Sequence, residues 1–196
     1  MLNFYKLHSD PNQLFGYKDA HLKVPSVAWE VADTNEKKQE LEHLWVSSPK
    51  HAFLYACYVI KKPWLPGEMA IASNTEYAYE YAYGIVGGKW PLGEKVLANN
   101  PKYAFLYARD VIKKPWPSGE KAISSNPGYA YWYAHYVLQK PWPLGEKAIA
   151  GNSECAYRYA YYVIENSWPL GEKAIASDPY WKQHYEKTFN VKLQNA

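Results

Sequence analysis

The 196-residue chain can bury one full hydrophobic core, and its composition is uneven: 17% aromatic, with 9 tryptophans, 20 tyrosines and only 5 phenylalanines. A mean hydropathy of −0.50, with no apolar run approaching the roughly twenty residues of a span, excludes a membrane-crossing helix. A formal charge of +3 permits an anionic ligand without announcing one, and two cysteines, Cys57 and Cys155, make neither a disulfide framework nor a zinc site.

The start, MLNFYKLHSDPNQ, lacks the basic-then-apolar pattern of a secretory signal, so a reduced, cytoplasmic compartment is expected. Residues 1–35 match nothing downstream except PSVAWEVA from Pro25, a faint echo of a later helix, and read as an N-terminal cap. His8, Asp10 and His21 form the only polar cluster there, and their spacing fits no ligand pattern. Asp33-Thr-Asn-Glu36 has the form of a capping box, which predicts a helix running to about Ser47.

From residue 49 the chain repeats. KPWLPGEMAIAS, GKWPLGEKVLAN, KPWPSGEKAISS, KPWPLGEKAIAG and NSWPLGEKAIAS place Trp64, Trp90, Trp116, Trp142 and Trp168 at intervals of 26. Between them, with the same period, run PKHAFLYACYVI, TEYAYEYAYGIV, PKYAFLYARDVI, PGYAYWYAHYVL and SECAYRYAYYVI. Self-similarity at such a period signals stacked units, each unable to bury its apolar face alone.

The stretch YAYEYAY within the second copy looks like an alternating strand, but comparison with the other copies makes it helical. Alanine recurs at the fourth place (Ala52, Ala78, Ala104, Ala130, Ala156) and the eighth (Ala56, Ala82, Ala108, Ala134, Ala160). Tyrosine holds the seventh place and a β-branched residue the eleventh, so the repeated places fall on one helical face. Asn100-Pro101 and Asn126-Pro127 supply a capping side chain followed by proline at the first helical position. WPLGEKAIA predicts a shorter helix whose glutamate (Glu68, Glu94, Glu120, Glu146, Glu172) sits in the first turn, where the helix dipole favours it. Stacked copies hold these glutamates about 10 Å apart, too far to share one ion. The tryptophan is expected to wedge between units, and the tyrosines to carry their rings inside and their oxygens at the surface. Gly84, Gly87 and Gly88 predict a frayed or bent end for the second long helix.

The expected fold is all-α: a right-handed-type α-solenoid of short-helix/long-helix repeats of period 26, with N- and C-terminal caps. It forms one repeat domain over 1–196, with helical repeats over 36–178. The sixth copy, from Pro179, replaces the stacking alanines by Lys182 and Glu186, so 179–196 closes the array as the second cap.

Places that vary from copy to copy are free to meet a ligand. On the long helix these are the second, sixth, ninth and thirteenth, which fall in one narrow arc at 100° per residue. Flanking them runs an aromatic column of Phe53, Tyr79, Phe105, Tyr131 and Tyr157. The candidate binding residues are Tyr83, Leu106, Arg109, Lys113, Tyr131, Trp132, His135, Arg158 and Tyr161, because exposed Trp, Tyr and Arg anchor interfaces. A solvated face without function is the competing reading. A nucleotide-like ligand or nucleic acid stacking on the aromatics is the alternative, weakened by Glu76, Glu80, Glu154 and Glu165 on the same face. Metalloprotease, P-loop, dinucleotide and serine-hydrolase motifs are absent, and Cys57 has no plausible base in His51 or His135, so no enzyme and no cofactor is expected.

The pattern W-P-x-G-E-x-A-I-A followed by N-P-x-Y-A-Y-x-Y-A-x-x-V-I resembles the short tandem helical repeats, often reading W-P-E-A-E, of uncharacterised phage and bacterial proteins. The likeness covers residues 49–185. It departs from that pattern in glycine for the alanine and Leu or Ser for the first glutamate, as in Trp90-Pro-Leu-Gly-Glu94. The resemblance implies a fold and a phage origin, and no chemistry. A non-enzymatic binder is therefore expected, with a protein partner first, a nucleotide-like molecule second and nucleic acid third. A phage-encoded inhibitor acting in the host cytoplasm would fit, and a homo-oligomer is compatible.

Overall fold

The computed structural model describes residues 28–30 and 32–194. His8, Asp10, His21 and most of the expected N-terminal cap lie outside these residues. The chain divides into two compact bodies, residues 1–86 and 87–196. All regular structure among the described residues is helical.

In the first body, α1 (Asn35–Glu40) and α2 (Glu42–Trp45) precede α3 (Pro49–Tyr55), α4 (Leu65–Ile71) and α5 (Thr75–Tyr81). The second holds α6 (Pro91–Leu97), α7 (Pro101–Leu106), α8 (Pro117–Ile123), α9 (Pro127–Trp132) and α10 (Pro143–Ile149). It ends with α11 (Ser153–Tyr159), α12 (Pro169–Ala176) and α13 (Pro179–Phe189). Within this body α8, α10 and α12 each pack on the long helix that precedes them, and α7, α9, α11 and α13 pack in succession.

The local chemistry explains the boundaries. Asn74, Asn100, Asn126 and Asn152 cap α5, α7, α9 and α11, each side chain accepting from a first-turn amide. The capping box before α1 is displaced by one residue. Thr34 is the cap, accepting from the Lys37 amide at 3.2 Å, while Asp33 pairs with the Lys37 ammonium at 2.8 Å. The expected single helix to Ser47 is broken at Leu41.

Sequence periodicity did not foresee how the long helices end. After about two turns each widens into a π-helical segment: Ala56–Ile60, Ala82–Val86, Tyr107–Ile112, Tyr133–Leu138 and Ala160–Ile164. Lys61, Gly87, Lys113, Gln139 and Glu165 then take left-handed backbone, with φ between 54° and 67°. Gly87 thus occupies the ordinary terminating place of the repeat, and the expected fraying of the second copy is not seen. The sixth copy stays α-helical throughout and turns at left-handed Asn190. There the Glu186 carboxylate accepts the Leu193 amide at 2.8 Å, which gives a charge at an alanine place a partner from the chain's own tail.

The core is a repeated three-point connection. Tyr81, Tyr107, Tyr133, Tyr159 and Tyr185 are fully buried. Each hydroxyl accepts the backbone N–H of the tryptophan 17 residues earlier, at 2.5–2.8 Å. Each also donates to the glutamate 13 residues earlier, at 2.9–3.1 Å. The tyrosine oxygens therefore lie inside, the reverse of the expected arrangement, because two partners waiting there satisfy them fully. Burial raises these phenols above their ordinary pKa; the glutamate adds to the effect and the donated amide opposes it. Tyr55 keeps only half of the connection: it donates to Glu42 at 3.0 Å, where Lys38 stands in place of the tryptophan.

The tryptophan wedge is confirmed within the bodies. Trp64, Trp116, Trp142 and Trp168 lie 4.7–4.9 Å, centroid to centroid, from the tyrosine of the preceding long helix. Their rings cover Gly67, Gly119, Gly145 and Gly171. A Cβ on Gly119 would sit 2.5 Å from Trp116 Cε3 and 3.0 Å from the Ala104 methyl. Glycine is required at this place because the indole lies against the backbone there.

Candidate partner-binding face

The π segments change which side chains reach solvent. A π turn holds more residues than an α turn, so two successive places point outward where one would. The ninth place is joined by the tenth: Tyr58, Gly84, Asp110, Tyr136 and Tyr162. Tyr136 and Tyr162 are 55% and 48% exposed, beside Trp132 at 41%, Tyr161 at 45% and Tyr180 at 58%. Sequence reasoning missed this column because 100° per residue places it off the arc, although its variation between copies was visible. The thirteenth place moves the other way. Lys113, Gln139 and Glu165 are left-handed helix caps at the end of the face, not members of a helical stripe.

The aromatic rings of the variable face in the second body form two connected groups. Tyr131 stacks on His135 at 5.8 Å, and His135 meets Tyr136 at 4.6 Å and Tyr162 at 5.5 Å. Tyr162 meets Tyr161 at 4.7 Å, Tyr161 stacks on Tyr157 at 6.0 Å, and Tyr157 lies 5.2 Å from Trp181. A second group joins Phe105, Tyr129 and Trp132 at 5.5–6.1 Å. Among the expected residues, this brings Tyr131, His135 and Tyr161 together. Tyr131 is itself buried beneath the others and pushed up to about 12 by that burial. Leu106 is half-buried on α7, and Tyr83 stacks on Tyr79 at 5.9 Å in the first body.

Both expected arginines are already engaged. Arg109 pairs with Asp110 through two bonds, 2.6 and 2.8 Å, and lies over Phe105 at 4.9 Å. Arg158 pairs with Glu154 at 2.8 Å and lies 5.8 Å from the Trp181 centroid. Each guanidinium thus lies over an aromatic ring, its charge balanced beside it.

A cleft of about 280 Å³ opens between the carboxyl ends of the fourth and fifth long helices, lined by Ala134, His135, Gln139, Tyr162, Val163 and Glu165. Neither cysteine carries an activated thiol. Burial, with Glu80 adding, pushes Cys57 up to about 11, and burial, with Glu154 adding, does the same for Cys155. His51 is held by Ser48 at 2.8 Å between the rings of Trp29 and Trp45. Among the described residues no group of three or more His, Cys, Asp or Glu is placed to hold a metal ion. No described helix is long and apolar enough to cross a membrane. No protein-family model matches the chain, and no curated protein or solved structure does either.

Proposed function

We propose that the protein is a binding module that docks another protein on the aromatic face of its second body, centred on Trp132, Tyr136, Tyr161 and Tyr162. The observation that carries this reading is the pair of half-exposed aromatic groups, Trp132 with Phe105 and Tyr129, and Tyr136, Tyr161 and Tyr162 around His135. Large rigid rings held by their neighbours lose little conformational freedom on binding, and Trp and Tyr are the side chains that dominate interface energetics. The charge pattern favours a protein over a nucleotide or nucleic acid. A phosphate would have to compete with Asp110 for Arg109 and with Glu154 for Arg158. The resemblance of the repeat to those of phage proteins makes a bacterial host factor the first partner to test.

The test is affinity capture from a bacterial lysate with the native chain and with Trp132→Ala/Tyr162→Ala, alongside native mass spectrometry of the purified protein. A stoichiometric protein partner retained by the native chain and lost by the double variant supports the reading. A co-purifying nucleotide, or a partner bound equally by both chains, overturns it.

A further inference from the structure

We propose that the cleft between the fourth and fifth long helices is a guanidinium site that receives an arginine side chain of the bound partner. This deepens the reading of the aromatic face as a protein-docking surface and rests on it. The cleft lies at the carboxyl ends of both helices, where the peptide dipoles leave partial negative charge. Tyr162 and His135 present two rings 5.5 Å apart and inclined at 55°, so a planar cation can lie against one and meet the edge of the other. Glu165 lines the same space from its left-handed cap, and no salt bridge engages it among the described residues. The nearby Arg158 does not cancel it, being held by Glu154. A planar guanidinium satisfies all three features at once, stacking on the tyrosine while pairing with the carboxylate.

Comparison with the copy before shows that the charge of this cleft is not a property of the repeat. Moving each lining residue back by 26 gives Ala108, Arg109, Lys113, Tyr136, Val137 and Gln139, a basic set. Glu165 alone brings an acid to the cap place, where the other copies have Lys61, Gly87, Lys113 and Gln139. The same comparison supplies substitutions that keep the fold, since lysine and glutamine already occupy this cap with φ of 54–57°.

The test is titration of N-acetyl-arginine methylamide followed by backbone amide shifts, with the citrulline analogue as neutral isostere. The probe is expected to bind weakly, with a Kd of about 30–200 mM, which is what one exposed ion pair and one ring contact supply. It should shift residues 134–139 and 162–166, and citrulline should bind at least tenfold more weakly. Glu165→Gln should weaken the probe severalfold and Glu165→Lys should abolish its binding. Equal binding of citrulline, unchanged binding to Glu165→Lys, or no shift at 50 mM probe overturns the proposal. Partner capture separates the two readings. Capture that needs Trp132 but ignores Glu165→Lys, with the probe silent, removes the cleft and keeps the face. Capture indifferent to Trp132 and Tyr162 removes the face, whatever the probe does.

Discussion

Replacing Tyr133 by phenylalanine removes one oxygen and two hydrogen bonds from the interior. The hydroxyl accepts the Trp116 amide at 2.8 Å and donates to Glu120 at 2.9 Å, with the side chain fully buried. The lost bond to a carboxylate contributes about 1.5–3 kcal/mol, and the amide left without an acceptor adds about 1–3 kcal/mol. Because the contributions overlap and phenylalanine packs in the same place, we expect a total of about 2–4 kcal/mol. For a chain of this size each kcal/mol moves the melting point by about 2–4 °C, so Tm should fall by about 5–15 °C. Urea unfolding followed by circular dichroism measures the same difference. Tyr157→Phe is the control in the same body: its hydroxyl meets only Thr188 at 3.3 Å in an exposed setting, and the loss should stay below about 0.5 kcal/mol. Tyr55→Phe should lie between, since it makes the glutamate bond alone. If Tyr133→Phe destabilises no more than Tyr157→Phe, the three-point connection does not hold the repeats together.

Gly119→Ala drives a methyl into the Trp116 indole, and should destabilise by about 1–3 kcal/mol or more in the same unfolding assay, although alanine is the better helix former. Asn126→Ala removes the cap that accepts the Tyr129 amide at 3.1 Å and should cost about 1 kcal/mol. The buried phenols have raised pKa values, so their contribution to stability is complete below about pH 10 and is lost as pH rises, by about 1.4 kcal/mol per pH unit for each tyrosine that stays protonated only when folded. Absorbance at 295 nm should show the buried set ionising only as the chain unfolds. Ionisation of that set in the still-folded protein would contradict this. Trp132→Ala should cost about 1–3 kcal/mol of stability through its contacts with Phe105 and Tyr129 and leave the chain folded, while weakening partner binding by about 2 kcal/mol or more, roughly thirtyfold.

The repeat made the fold legible because the constraints recur in the same order. Trp64-to-Ile71 needs a wedge, a bare backbone and a first-turn acid, and Ala78, Tyr81 and Ala82 need one buried helical face. The Tyr–Glu–Trp connection was legible in principle. Glu42 stands 26 residues before Glu68 although Lys38 has replaced the tryptophan, which says that the glutamate answers to Tyr55 and not to its own helix alone. It was missed because a first-turn glutamate already has a local explanation in the helix dipole. The π segments left no such trace. Whether the Lys61 amide reaches Ala56 or Cys57 is decided by packing at the end of the helix, and the apolar pattern accommodates either. That one change moved Tyr136 and Tyr162 into the candidate face and moved Lys113 and Glu165 to its end.

The central claim is that the aromatic face of the second body is the binding surface, and tyrosine iodination of the protein alone and in its complex tests it most directly. Binding at this face predicts that Tyr136, Tyr161 and Tyr162 react in the free protein and are protected in the complex, while Tyr58, 63% exposed in the first body, reacts equally in both. Protection of Tyr58 with Tyr136, Tyr161 and Tyr162 still reactive would place the partner elsewhere and contradict the account.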